Sequence, residues 1–471
     1  MDPAIEPASG LCALSAREQA RLVRTRQVSS RELVQAHLER IEAVDPLLNA
    51  VVTRIPERAL AGADAADRAL ASGAEPGPIH GLPIAVKDLE DVAGVRTTYG
   101  SPLFADHVPE ADSPLVTRLR RAGAIVVGKT NTPEFGAGSQ TFNPVFGPTR
   151  NPHDLTRTAG GSSGGAGAAV AAGLVPFADG SDLGGSIRNP AAFCGLVGLR
   201  PTPGRVPDPG GWPWDPRAVY GPIARDAADA ALLLQAMAGP DPRVPISLPD
   251  PPEAFAAPLR TDPCGLRIAW SDRLGDLPVE PAVTAALAAQ REALEALGCE
   301  VVDAEPDLRG ADEAFEVLRA LGYMDGLAAE AAAHPELIKA EVLGEVRDGL
   351  ALTGPQVARA LNLQAQAMRA MRELLEDHDA LALPTAQVVP FAVERRWPEE
   401  VAGTPMRSYI EWMRACSRIT MTAHPAISVP GAQTPAGLPV GLQLVGRRGA
   451  ELALLGLAAG VEDAKTRRSV V

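Results

Sequence analysis

Aromatic residues are scarce in this sequence, only 4% of 471 positions, so Ala, Leu and Val must fill most of any core. Cysteine is scarcer still. Cys12, Cys194, Cys264, Cys299 and Cys416 form an odd, scattered set. That excludes a disulfide framework and a Cys-based metal site, and it fits free thiols in a reducing compartment, with the cytoplasm as the expected location. No metal and no organic cofactor is expected. There is no long Lys/Arg cluster, and the net charge is −14, so the surface repels phosphate backbones and nucleic acid is not an expected partner. Long hydrophobic runs are also missing. The longest small-apolar stretch, Ala166 to Ala178, is broken by Gly167, Gly173 and Pro176 and is too short to cross a bilayer, so no membrane association is expected. The N-terminal residues carry acids and no basic region, unlike a signal peptide.

What the chain does have is punctuation: 45 glycines and 44 prolines, in a composition that is 46% hydrophobic and 22% charged. Such a chain is globular and rich in turns and close backbone approaches. Ser15-x-x-Glu18 and Ser29-x-x-Glu32 have the capping-box pattern, so helices are expected to begin there. The second opens a run with Leu33, Val34, His37, Leu38 and Ile41 on one face. A short strand is expected around Ala50–Val52 and a helix over about 56–72. From Gly81 to Pro207, short apolar runs (Ile84–Val86, Ala124–Val127, Leu174–Ala178) alternate with Gly-rich turns and helix starts, which implies an α/β sheet, at least partly parallel. A helix is expected over Asp226–Met237, then a Pro- and Asp-rich surface connection over 239–263. Beyond it, strands are expected at Leu266–Trp270, Val301–Val302, Ala380–Leu383, Ala426–Val429 and Val440–Val445. Helices are expected at Val279–Leu297, Ala311–His334, Gln356–Asp377 and Glu451–Val461.

The densest chemical signal is Gly160-Gly161-Ser162-Ser163-Gly164-Gly165, followed by Gly180-Ser181-Asp182-Leu183-Gly184-Gly185-Ser186-Ile187-Arg188-Asn189-Pro190. Glycines before a helix let backbone N–H groups converge on an anion. The N–H groups of Leu183 to Ser186 could surround one point, as a tetrahedral oxyanion requires. One such turn alone is an ordinary Gly/Ser turn; two of them, with serines 24 residues apart and an Arg downstream, point to a nucleophile.

A serine nucleophile needs a base. None of the seven histidines (His37, His80, His107, His153, His334, His378, His424) sits in an evident catalytic frame. Lys87 follows the apolar run Pro83-Ile84-Ala85-Val86, where desolvation would lower its pKa toward neutrality. A lone lysine at such a place is more often one that reaches to solvent.

Together these motifs carry a resemblance. Gly81-Leu82-Pro83-Ile84-Ala85-Val86-Lys87-Asp88, Gly128-Lys129-Thr130-Asn131-Thr132-Pro133-Glu134-Phe135, the two Gly/Ser motifs, Gly198 to Val206, Pro425 to Pro430 and Gly437 to Gly441 resemble the amidase signature family, over about 15–463. The resemblance implies one large α/β domain, with a mixed central sheet containing much parallel pairing and helices on both faces. Its parts would be a helical region over about 1–75, the signature core over about 76–240, and an α/β and helical part over about 264–463. It implies a Ser–cis-Ser–Lys triad at Lys87, Ser162 and Ser186, with a cis peptide at Ser162. It implies an oxyanion hole from Leu183, Gly184, Gly185 and Ser186, supported by Asp182 and Arg188, with Ser163 bonding near the lysine. Gly136, Ala137 and Gly138 match a loop whose backbone faces substrate. The implied activity is hydrolysis of a small-molecule carboxylic amide through a seryl acyl-enzyme, with esters and carbamates as further substrates; a homodimer is compatible with it. His153 and Ala159 depart from the family pattern, where Trp and Pro are common.

Two other motif matches fail on context. Gly123 to Thr130 fits the P-loop pattern literally, but its middle residues are apolar and β-prone and should be a strand. Gly160-x-Ser162-x-Gly164 fits a nucleophile elbow, yet the preceding stretch, Asn151 to Thr158, is polar where that elbow needs a buried strand. Two rivals remain: an amidotransferase A-type subunit supplying ammonia to a partner, and a catalytically silent binding protein on the same scaffold. Trp212 and Trp214 read equally as a substrate entrance or as part of a Pro-stiffened surface loop. Leu318–His334, Ala367–Glu376, Met406, Tyr409, Ile410 and Met413 read as pocket walls or as ordinary core.

Overall fold

The structure, a computed structural model, describes residues 1–468. Two sheets organise the described residues around the Gly/Ser motifs. The larger has eight strands in the order Glu300–Asp303, Arg267–Trp270, Ala380–Pro384, Pro439–Val445, Ala426–Gln433, Val197–Arg200, Val219–Ala224, Phe177–Asp182. The sheet is mixed, as expected. Parallel pairing, however, is confined to the Arg267–Trp270 strand and its two neighbours, and the other five pairs are antiparallel. The alternation of strand and helix signals overstates parallel pairing because Lys87's strand is not in this sheet. Pro83–Lys87 pairs with Ile125–Thr130, in parallel, in a separate three-stranded sheet completed by Val51–Arg54.

Side-chain alternation explains how helices cover both faces of the large sheet. Phe177 and Ala224 join one hydrophobic cluster with the Ala227–Met237 helix; Ala178 and Ile223 join another with the helices Gly164–Ala171 and Arg188–Cys194. Both N-terminal caps form as expected: Ser15 Oγ accepts from the Glu18 N–H, and Ser29 and Glu32 make a full capping box. His37 is buried on the second helix with ring nitrogens on the Leu174 carbonyl and Gln19, and burial lowers it to about 4, so it is a packed, neutral histidine.

Several elements differ from expectation. The strand expected at 174–178 runs instead over Phe177–Asp182, because Leu174 to Pro176 form the exit from the small-residue helix. Strands Val197–Arg200 and Val219–Ala224 and helices Pro114–Arg121 and Ala340–Leu350 are not among the expected elements, although Leu115, Val116 and Leu119, and Val342 and Val346, have helical spacing. Gly123 to Thr130 enters a strand, as expected, and Lys129 is held by Asp88, Thr97 and the Glu90 carbonyl, so no phosphate cradle exists there. Asp154–Thr158 is a strand after all, but it belongs to a partly exposed two-stranded ribbon, so the elbow pattern still lacks its buried strand. Among the described residues no helix is long and apolar enough to cross a membrane, no His/Cys/Asp/Glu group could hold a metal, and all five cysteines are unpaired.

Candidate active site

The three residues singled out from sequence reach one place from three elements. Lys87 ends the fully buried strand Pro83–Lys87. Ser162 follows the cis peptide Gly161–Ser162 and precedes the Gly164–Ala171 helix. Ser186 closes the turn between the Phe177–Asp182 strand and the Arg188–Cys194 helix. Ser162 and Ser186 both line a cavity of about 480 Å³. The Ser163 N–H donates to the Ser186 carbonyl at 3.1 Å, tying the two serine turns together.

The Lys87 Nζ donates to three hydroxyls: Ser162 Oγ at 2.7 Å, Ser163 Oγ at 2.9 Å and Ser181 Oγ at 2.9 Å. Ser181 is not among the residues assigned a role from the motifs. Strand alternation identifies it, because it shares a face with Asp179, whose carboxylate accepts the Lys87 backbone N–H at 3.2 and 3.3 Å. Burial drives Lys87 down to about 7, against the pull of Asp179, Glu90 and Asp182. Glu90 is itself pushed up to about 8 by burial. An ammonium only donates. A neutral amine has a lone pair, so one of these three contacts can reverse, and the nearest is to Ser162.

The turn that carries Ser186 is built on an ion pair. Asp182 meets Arg188 at 2.8 and 3.0 Å, and both side chains are fully buried. Burial alone would raise the Asp182 pKa, but Arg188 and Arg200 outweigh it and hold the carboxyl well below the ordinary range. Arg188 also donates to the Cys416 carbonyl, Gln443 and Thr420, anchoring the turn to the C-terminal part of the chain. Asp182 Oδ1 accepts the Gly185 N–H at 2.9 Å. This corrects one expectation: Gly185 uses its N–H to shape the turn, leaving the N–H groups of Leu183, Gly184 and Ser186 without a protein acceptor among the described residues. Gly185 has φ +113, and a Cβ there would lie 2.6 Å from Cys416 Cβ. Only glycine fits that backbone.

Gly136 and Gly138 line the cavity. Ala137 does not: it is buried against Ile338 and Val342, and its carbonyl accepts from Lys339. The rest of the lining is largely apolar (Leu89, Phe135, Leu183, Leu318, Leu327 and Met413), with Asp215, Arg217, Arg319 and Asp325 among its charged members. Ala367–Glu376 instead packs Ala367, Met371 and Leu375 into the core, as does Ile410. Trp212 lines the cavity, whereas Trp214 is 63% exposed. His153 bonds the Cys194 carbonyl, away from the serines.

The chain is similar in sequence and fold to known proteins. The family model described as Amidase matches residues 32–455. An acylamidase of Rhodococcus erythropolis is 37% identical over 95% of both chains. The A-type subunit of the glutamyl-tRNA(Gln) amidotransferase of Moorella thermoacetica is 39% identical over 96% of both. The crystal structure of a bacterial aryl acylamidase of the amidase signature family superposes with a TM-score of 0.90 at 28% identity, over 97% of each chain. The chain therefore belongs to the amidase family.

Proposed function

We propose that this amidase cleaves the C–N bond of a small-molecule carboxylic amide with Ser186 as nucleophile, Ser162 as proton relay and Lys87 as base. The observation that carries the assignment is a buried lysine poised near neutrality with its Nζ 2.7 Å from Ser162 Oγ, at the cavity that Ser186 also lines. Neutral Lys87 takes the Ser162 hydroxyl proton as Ser162 takes the Ser186 proton. Ser186 Oγ bonds to the carbonyl carbon. The oxyanion accepts from Leu183, Gly184 and Ser186, each such donor being worth about 3 kcal/mol. The C–N bond then breaks, Ser162 giving its proton to nitrogen while Lys87 returns one to Ser162. Water, deprotonated along the same path, releases the carboxylic acid. Esters and carbamates enter by the same acyl-enzyme, since their leaving groups need less protonation.

An acylamidase role rather than an amidotransferase one is supported by the apolar cavity wall, which suits an aryl or alkyl amide better than a small polar amide. The 39% identity to an amidotransferase component favours the second reading, in which ammonia passes to a partner. The unpaired cysteines support a cytoplasmic location. Hydrolysis of an aryl amide by the isolated protein, with Ser186→Ala, Ser162→Ala and Lys87→Ala beside it, tests the assignment. Near-wild-type turnover in Ser186→Ala sinks it. Inertness alone but activity with partner proteins favours the amidotransferase. Failure of a fluorophosphonate to label Ser186 stoichiometrically points to the silent scaffold.

A further inference from the structure

The cavity wall contains a guanidinium that none of the chemistry above uses. Arg319 lies on the Ala311–Ala333 helix and is only 5% exposed, yet it borders the cavity. Its Nε donates to Glu345 Oε1 at 3.2 Å, and its Nη2 donates to the hydroxyls of Tyr409 at 2.7 Å and Tyr323 at 3.3 Å. The guanidinium carbon stands 4.6 Å from the Tyr323 ring centroid and 5.5 Å from that of Tyr409. Tyr409 donates in turn to Glu345 at 2.6 Å, and Tyr323 donates to the Phe135 carbonyl at 3.2 Å. Every member is fixed by another, so the guanidinium plane is held before any substrate arrives. Nη1 is the nitrogen with no acceptor among the described residues.

A fixed, unpaired donor in a largely apolar wall selects its ligand by polarity. It rewards an oxygen acceptor and penalises its absence, because a substrate that covers Nη1 with hydrocarbon leaves a desolvated N–H unbonded. Charge decides the kind of acceptor. Glu345 already offsets Arg319; among the other lining charges Asp215 is paired with Arg217 and Asp182 with Arg188 and Arg200, while Asp325 has no ion-pair partner among the described residues. A carboxylate would meet a guanidinium whose charge Glu345 already neutralises. A neutral carbonyl or ether oxygen needs no counter-charge.

We propose that Arg319 is a specificity-determining residue whose Nη1 binds an uncharged oxygen acceptor on the substrate, remote from the scissile amide. This rests on the amide-hydrolase reading. The test uses p-nitroanilides of octanoic acid and of its keto analogues with the carbonyl walked along the chain, a matched series with the oxygen in the amine part, and one analogue ending in a carboxylate. For the best-placed oxygen, wild type is expected to show a kcat/KM about ten- to a hundredfold above the methylene analogue, the range for a hydrogen bond to a charged donor. In the double variant Arg319→Met/Glu345→Gln, which removes the buried pair together, that ratio falls to about one. Arg319→Lys, which keeps the charge but loses the fork, serves the same comparison should the double variant not fold. A wild-type ratio near one at every position overturns the proposal, as does a ratio unchanged in the variants. Preference for the carboxylate analogue overturns the choice of a neutral acceptor. Absence of hydrolysis across every series fails the amide-hydrolase reading, a result distinct from equal rates on all of them.

Discussion

Lys87 Nζ meets Ser162 Oγ at 2.7 Å from a strand that is not part of the sheet leading to Ser186. The two sheets are joined at this point by Asp179, which accepts the Lys87 backbone N–H from the edge strand of the larger sheet. The base and the proposed nucleophile are therefore positioned by different sheets, and the contact seen is that of the base with the proposed relay, Ser162.

That contact predicts a pH profile. Lys87 is a base only when neutral, and burial sets its pKa at about 7. Below that value kcat/KM should fall tenfold per pH unit, and above it reach a plateau. In Lys87→Ala the remaining rate should be lower by several orders of magnitude and should lack this rise. Stopped-time assays with one aryl amide between pH 5 and 9 check both. An equal rise in the variant would remove Lys87 from the base role.

Ser181→Ala should move the same profile. The Ser181 hydroxyl accepts from the Lys87 ammonium at 2.9 Å, so its loss destabilises the charged form. The folded pKa drops further, and the rise in kcat/KM should move to lower pH, with the plateau reduced by less than in Ser162→Ala. A shift to higher pH would contradict this.

How much of this was legible in the sequence depends on what carried each part. Ser162 and Ser186 stood out through their local Gly/Ser turns, whereas Lys87 read alone fitted a solvent-reaching lysine better, and the three roles came from the resemblance that the motifs carry together. Ser181 was in plain view within a motif, but its role depends on which face of a strand it occupies opposite Lys87. Gly185's use of its N–H was hidden, since that depends on where the Asp182 carboxylate points. Arg319 stood unmarked in a helix, because its partners Tyr409 and Glu345 lie 90 and 26 residues away. The sheet was legible as mixed but not in its strand order, because Val197–Arg200 and Val219–Ala224 are short, interrupted by glycine and proline, and recognised only through their neighbours.

The buried Asp182–Arg188 pair predicts a large stability loss. Asp182→Asn leaves Arg188 and Arg200 buried without their counter-charge, and breaking such a pair costs about 3–5 kcal/mol. The Asp182 pKa is depressed on folding, so its contribution is complete above the unfolded carboxylate range near pH 4. It is lost only as the pH falls through the lower folded value. Urea denaturation at pH 7 is the measurement; a loss under about 1 kcal/mol would mean that the pair does not hold the turn.

Gly185→Ala should separate the turn's conformation from its charge. Alanine at φ +113 is strained whatever the space, by about 1–3 kcal/mol, and its Cβ would press on Cys416. Asp182 and Arg188 remain in place, but the N–H groups beside residue 185 are turned away from the oxyanion. A fall in kcat of at least about a hundredfold is expected, the scale for one lost oxyanion donor. Unchanged kcat in a folded variant would locate the oxyanion elsewhere.

The two tryptophans of the 206–220 loop should behave differently. Trp212 lines the cavity and its ring lies 5.7 Å from the Arg217 guanidinium, which Asp215 holds in turn. Trp214 is 63% exposed and does not line the cavity. Trp212→Ala removes apolar surface a bound aryl amide would cover, and burying such a side chain is worth about 1.5–3 kcal/mol. KM for an aryl amide should rise about tenfold or more, with a smaller rise for a short aliphatic amide that does not reach the loop. Trp214→Ala should leave both values at wild-type levels. Equal effects of the two substitutions would mean that the loop acts through its fold, not through the ring that faces the cavity.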